Sequence, residues 1–298
     1  MIEILKSIFL GIVEGITEWL PISSTGHMIL VDEIINLKAS TAFKDMFFVV
    51  IQLGAILAVI LLFWNKLWPF HLKSKEVKPY FIPQSNLKLN SFKRFCNNYI
   101  HCDRFILWFK ILIASIPAAV LGLLFDTQID TMLTGDFRAY VVATALIVYG
   151  ILFIVIESRS YKTKTDTLDN LSYKTAFFIG LIQCLALVPG TSRSGSTILG
   201  AILLGLSRTA AAEFSFFLSV PAMVGGSGIK VLQYFADGNT FNSSQLIILG
   251  VGTLTAFLIS VLAIKFLLSY IRKHDFKAFG YYRIILGIAV ILYFLINS

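Results

Sequence analysis

Apolar stretches alternate with short polar ones along this chain, and they come in two lengths. Six are long enough for a bilayer core of about 30 Å, which takes about 20 helical residues. They run from about Met46 to Phe63, Phe105 to Phe125, Ala139 to Ile156, Glu213 to Phe235, Gln245 to Ser269 and Phe279 to Ile296. Two others are broken. The run from Ile8 to Val31 is interrupted by Pro21 and the polar turn Ser23-Ser24-Thr25-Gly26. A helix from Ile8 to Trp19 would be only about 18 Å long, too short to cross. It reads as a helix that enters, breaks and turns back, which is tolerated at membrane depth only inside protein or against a wet cavity. The first broken pair covers about Ile4 to Leu37 and the second about Thr175 to Leu206, interrupted at Pro189.

The two broken stretches align. Laying the sequence from Phe178 under that from Phe9 puts Gly180 on Gly11, Gln183 on Glu14, Ser192 on Ser23, Ser194 on Thr25 and Gly195 on Gly26, with one residue inserted near the proline. Paired, interrupted hydrophobic segments in two halves point to a site near the midplane. The expected architecture is all-α: a polytopic membrane protein with six transmembrane helices plus two re-entrant helix pairs. Residues 1–298 form one membrane domain, with halves at about 1–157 and 174–298.

Charge orients this plan. Lys and Arg concentrate near 65–104, 158–174 and 271–277, whereas 126–137, with Asp126, Asp130 and Asp136, and 236–244 lack them. The positive-inside rule places the basic stretches in the cytoplasm. The sides alternate correctly only if each broken pair returns to its own side, so the halves form an inverted-topology repeat with both termini outside. Trp64 and Trp68 read as interfacial anchors, and residues 65–104 as a solvated loop without a recognisable motif.

Composition agrees with the class. The 298 residues are 57% hydrophobic and 14% charged, with a mean hydropathy of +0.80. The net charge of +8 does not suggest nucleic acid, because the cations sit between spans. The start of the chain has neither the basic n-region nor the small-residue cleavage site of a signal peptide. Cys96, His101 and Cys102 fit no standard zinc spacing.

The chemistry gathers in the broken stretches. Glu14 and Glu18 are four residues apart and share a helix face. Acidic groups at this depth are costly, and no Lys or Arg at helical spacing offsets them, so a cation must come from elsewhere. The second turn brings Arg193. Two carboxylates, a Ser/Thr-rich turn, His27 and Arg193 suit a lipid pyrophosphate. Arg193 would clamp phosphate oxygens through its planar fork. Backbone N–H groups around Ser23, Thr25, Gly26, Ser192, Ser194 and Thr197 would open the returning helices towards the anion. Glu14 and Glu18 cannot bind phosphate directly, but they can through a bridging divalent cation, Mg²⁺ or Ca²⁺. Ser24 or His27 could attack phosphorus while the other handles the proton; Ser24 is the preferred nucleophile. The bland readings are that Ser23 and Thr25 satisfy backbone groups, that His27 is a structural hydrogen-bonder, and that Gly11, Gly15, Gly180 and the cluster Gly225, Gly226 and Gly228 only pack helices.

These motifs resemble the undecaprenyl pyrophosphate phosphatase family of the bacitracin-resistance type. The resemblance rests on E14-x-x-x-E18, P21-I-S-S-T-G-H27 and P189-G-T-S-R-S-G-S-T197. It extends to F-x-V-V-I-Q-L-G-A-I-L-A-V from Phe47 and E-F-S-F-F-L-S-V-P from Glu213. It implies a hydrolase of the bacterial plasma membrane that converts undecaprenyl pyrophosphate to the monophosphate and inorganic phosphate outside the cell, recycling the lipid carrier of wall synthesis. A transporter or lipid flippase is the rival reading, since broken inverted repeats suit alternating access. Against it stands the combination of nucleophile, base and phosphate clamp. The partners expected are the lipid pyrophosphate and the bilayer, with a homodimer as the candidate assembly.

Overall fold

The computed structural model describes residues 1–35, 37–71, 80, 90–125, 127–129, 131, 137–159 and 161–297. The described residues form an all-helical membrane bundle, with no strand beyond two isolated bridges, Phe70 to Ile100 and Thr165 to Leu206. In chain order the helices are α1 (Ile2–Thr17), α2 (Ser24–Ile35), α3 (Thr41–Leu62), α4 (Trp64–Leu67), α5 (Ser91–Tyr99) and α6 (Cys102–Leu124). They continue with α7 (Arg138–Glu157), α8 (Tyr173–Gln183), α9 (Arg193–Leu203), α10 (Arg208–Ala236), α11 (Ser243–Ile271) and α12 (Lys277–Asn297).

Six of these, α3, α6, α7, α10, α11 and α12, are long and apolar enough to span a bilayer. They coincide with the six long apolar runs, and several start earlier because a polar residue caps them. The side chain of Ser40 accepts from the Phe43 N–H, that of Ser207 from Ala210, and Asn242 forms a capping box with Gln245. Each cap satisfies a helix-end donor, so the helix continues outward past the hydrophobic run. Large apolar side chains such as Leu123, Leu258 and Leu262 point outward, as lipid-facing helices require.

The broken stretches are helical on both sides of their turns. α1 starts at Ile2 rather than Ile8, because Glu3 and Lys6 pair across its first turn at 3.1 Å and the polar end stays helical. It stops at Thr17, short of Pro21, since a proline disfavours helical backbone in the residue before it. α8 passes into a 3₁₀ turn over Cys184–Leu187, and Val188, before Pro189, is extended.

Residues 65–104 are not a plain loop: they hold most of α4, all of α5 and the start of α6, and α5 is capped by Asn90, whose side chain accepts from the Lys93 N–H. Trp64 and Trp68 stack at 4.6 Å and are about half exposed. The loop positions Asp126, Asp130 and Asp136 lie outside the described residues.

Packing follows a paired pattern. α1 lies along α11, and α8 lies along α6; α7 packs against α12, and α3 against both α11 and α10. The aligned glycines sit at the corresponding crossings. A Cβ on Gly11 would come within 2.6 Å of the Gly252 carbonyl oxygen, and one on Gly180 within 2.1 Å of that of Ala114. Neither site admits a side chain, so both glycines set how closely the short helices approach the long ones. Gly225, Gly226 and Gly228 differ: a Cβ there would meet nothing within 4 Å. Among the described residues that cluster therefore packs against no other helix.

Candidate active site

The two polar turns meet in the interior. In the first, residues 18–22 form the turn, Ser23 takes φ 75° and α2 begins at Ser24. In the second, Gly190 takes φ 91°, Ser192 takes φ 71° and α9 begins at Arg193. Left-handed backbone is costly for a side-chain-bearing residue, yet both aligned serines adopt it. Each then caps the returning helix: Ser23 Oγ accepts from Gly26 N–H at 3.3 Å and Ser192 Oγ from Gly195 N–H at 3.1 Å. The positive φ redirects the chain at each turn, and the hydroxyl satisfies one of the free donors of the helix that follows.

Across the junction the charges join. Arg193 Nη2 donates to Glu18 Oε1 at 2.8 Å, a contact between residues 175 apart in sequence. The other carboxylate oxygen, Oε2, accepts from Ser24 Oγ at 2.6 Å. Arg193 Nη1 donates to the Ser215 carbonyl at 2.8 Å, and the guanidinium lies over the Trp19 ring at 5.9 Å. Ser194 Oγ donates to the Glu18 carbonyl at 3.2 Å. Glu18 keeps the helical register behind α1, its N–H donating to the Glu14 carbonyl, so the two carboxylates stay on one face.

Glu14 is almost fully buried. Among the described residues its Oε1 has no hydrogen-bond partner, and neither does Oε1 of the aligned Gln183. An orphaned carboxylate oxygen in the interior calls for a donor or a cation. Among the described residues no three of His, Cys, Asp and Glu cluster as a metal cage. Both Glu18 oxygens are already engaged by Arg193 and Ser24, so the unspent acceptor is Glu14 Oε1; a hard divalent cation there would share the remaining Glu18 lone pairs and be completed by substrate oxygens.

His27 is bound elsewhere than Ser24. Its Nδ1 lies 2.7 Å from the Ser23 carbonyl and its Nε2 2.7 Å from Tyr282 Oη, with the two rings stacked at 5.7 Å and 2° apart. A carbonyl only accepts, so Nδ1 carries the hydrogen, and Nε2 of the neutral ring accepts from the tyrosine. The hydrogen-bond partner of Ser24 is Glu18.

Of the other expected positions, Thr25 is half-buried and Gly26 buried. Ser194 reaches back to the first turn, whereas Thr197 Oγ1 is spent on the Arg193 carbonyl at 2.8 Å and on Ser215 Oγ at 2.6 Å. Thr197 thus fastens α9 to α10 rather than facing the turns.

The chain matches the family described as bacitracin resistance protein BacA over residues 7–289. It is 56% identical over 293 residues to an undecaprenyl-diphosphatase of Enterococcus faecalis, covering 98% of this chain and 97% of that one. It is 52% identical over 300 residues to one of Acetivibrio thermocellus, covering 99% of both. The chain belongs to the BacA family.

For this BacA-family chain, one residue escaped the sequence reading. Arg283 of α12 is fully buried and donates to the Pro21 carbonyl at 3.1 Å, that of Gly190 at 2.8 Å and that of Thr191 at 2.9 Å. It bolts the two turns together, with its guanidinium over the Tyr149 ring at 5.4 Å. An arginine inside the last apolar run carried the same signal as Glu14, a charge at membrane depth. Tyr282, its neighbour, carried no such signal, because a tyrosine in a membrane helix is unremarkable.

Proposed function

We propose that the chain is a membrane-embedded hydrolase that cleaves the phosphoric anhydride of undecaprenyl pyrophosphate, giving undecaprenyl phosphate and inorganic phosphate, and that by recycling this lipid carrier it gives resistance to bacitracin. One observation carries the mechanism: the carboxylate of Glu18 holds the Ser24 hydroxyl on one oxygen and Arg193 of the second turn on the other. A nucleophile, its proton acceptor and a phosphate-clamping cation thus form one connected unit.

Ser24 Oγ attacks the terminal phosphorus and passes its proton to Glu18, while undecaprenyl phosphate departs. Water then cleaves the phosphoserine ester, inorganic phosphate leaves and Ser24 regains its proton. Arg193 offsets the charge spread over the transferring phosphoryl oxygens. Arg283 keeps the two turns in register. A divalent cation, Mg²⁺ or Ca²⁺, would be held by Glu14 and Glu18 and would neutralise pyrophosphate charge. Excess chelator should therefore abolish phosphate release by the purified protein in detergent, and added Mg²⁺ or Ca²⁺ should restore it. Full activity in chelator would remove the metal from the scheme.

The helices α1, α2, α8 and α9 are the two arms of two re-entrant pairs in an inverted repeat. The shared left-handed serine caps, the matched glycine crossings and the paired packing of α1 on α11 and α8 on α6 support this reading. The basic stretches lie in the cytoplasm, and the pyrophosphate enters from the outer leaflet with its prenyl tail in lipid. In a background lacking Cys96, Cys102 and Cys184, an impermeant thiol reagent added to intact cells should label Lys38→Cys and spare Lys164→Cys. The reverse pattern would overturn both the orientation and the side of hydrolysis.

A further inference from the structure

A polar cavity lies at the far end of α9 from Arg193. This helix has eleven residues, a rise of about 16 Å, and leads to the turn at Gly205 and Leu206. There a cavity of about 360 Å³ is lined by the four cations Arg159, Lys162, Arg208 and Arg272, by one carboxylate, Glu157, and by hydroxyls including Ser207.

The cavity is built rather than incidental. The Glu157 side chain is 3% exposed. Its carboxylate accepts two bonds from Arg208 Nε, both at 3.1 Å, and one from the Phe276 N–H at 3.4 Å. The wall from Arg159 onward is laced to the α9–α10 turn: the Gly205 carbonyl accepts from Lys164 N–H at 2.8 Å and Thr165 N–H at 3.0 Å, and the Thr165 carbonyl accepts from Ser207 N–H at 2.9 Å. The nearby Asp275 is engaged by Lys277 at 3.4 Å.

Charge is therefore unbalanced. Four cations face one carboxylate, and that carboxylate is taken up by Arg208. Arg159, Lys162 and Arg272 have no carboxylate partner among the described residues. The N-terminus of α10, a helix of 29 residues, opens at the same place and adds a partial positive charge. Guanidinium forks around a cavity are suited to phosphate oxygens, and basic pockets between membrane helices suit lipid head groups.

We propose that this cavity is a phosphate-binding site separate from the candidate active site. The chemistry it takes is an anionic phosphate group, from either of two sources: the phosphate ester of an anionic phospholipid head group in the adjoining leaflet, or free inorganic phosphate. The proposal does not depend on the mechanism given above.

Two binding measurements on purified, delipidated protein in a neutral detergent test it. One is native mass spectrometry with phosphatidylglycerol, with phosphatidylcholine as control. The other is equilibrium dialysis with labelled inorganic phosphate. Each compares wild type with Arg159→Gln/Arg272→Gln and, separately, with Lys162→Gln. These side chains are exposed, and melting temperatures check the fold; Lys162→Gln stands in should the double variant lose it. Wild type should bind in at least one arm, with affinity at least tenfold lower in the double variant and lower in Lys162→Gln. A loss confined to the phosphatidylglycerol arm assigns the site to lipid, and a loss of phosphate sites assigns it to the free ion. Variants that bind both probes as tightly as wild type, or a wild type that binds neither, would overturn the proposal.

Discussion

Replacing Glu18 by glutamine should lower kcat by about 10³-fold, within the range for loss of a general base, while leaving the helical fold intact. The amide keeps the shape of the carboxylate but has one acceptor oxygen in place of two. In the native site those two oxygens serve different partners, Arg193 at 2.8 Å and Ser24 at 2.6 Å. Glutamine keeps its oxygen on Arg193 only by turning its NH₂ to Ser24, whose hydroxyl then accepts instead of donating. Its oxygen does not take up the serine proton. The variant also leaves the Arg193 guanidinium without its counter-ion, and the substrate pyrophosphate can fill that role. The loss should therefore fall on kcat, with no rise in KM. Phosphate release by the purified variant, with a thermal melt as the fold control, checks this. A variant with wild-type kcat would remove Glu18 from proton transfer.

Arg193→Lys should cost about 10²-fold or more in turnover, the magnitude expected for loss of a charge-stabilising group in the transition state. The guanidinium does two jobs at once: Nη2 holds Glu18 and Nη1 holds the Ser215 carbonyl, both at 2.8 Å. Its Cζ lies over the Trp19 ring, 5.9 Å from the centroid. A lysine keeps the charge, but its single ammonium group cannot reproduce a planar fork or the stacking. Among the described residues Nε of Arg193 has no partner, which leaves a donor of the fork unspent. Steady-state hydrolysis in detergent measures the effect. An unaltered rate would move Arg193 to a structural role.

The membrane helices were legible because hydrophobic run length is a one-dimensional property. Their starts were less so, since Ser40, Ser207 and Asn242 extend helices by capping them, past the point where hydropathy falls. α5 is a short amphipathic helix in a polar stretch, where no apolar run marks it. The Glu18–Arg193 pair could be anticipated because like charges at membrane depth need a cation and the second turn supplies one. The partner of Ser24 could not. The sequence reading paired Ser24 with His27, and only the fold shows His27 turned onto Tyr282 and Ser24 onto Glu18. Arg283 illustrates the same limit: its burial cost was visible, but the three carbonyls it meets come from two turns brought together only by folding.

The central claim is that residues from the two turns act as one unit. A double-mutant cycle on kcat/KM with Glu18→Gln, Arg193→Lys and the combined variant tests it. If the pair works as a unit, the combined variant should be no worse than the poorer single variant, about 10³-fold below wild type, because breaking the unit once removes most of its effect. Losses that multiply to about 10⁵-fold would mean that Glu18 and Arg193 contribute independently, and would contradict the account.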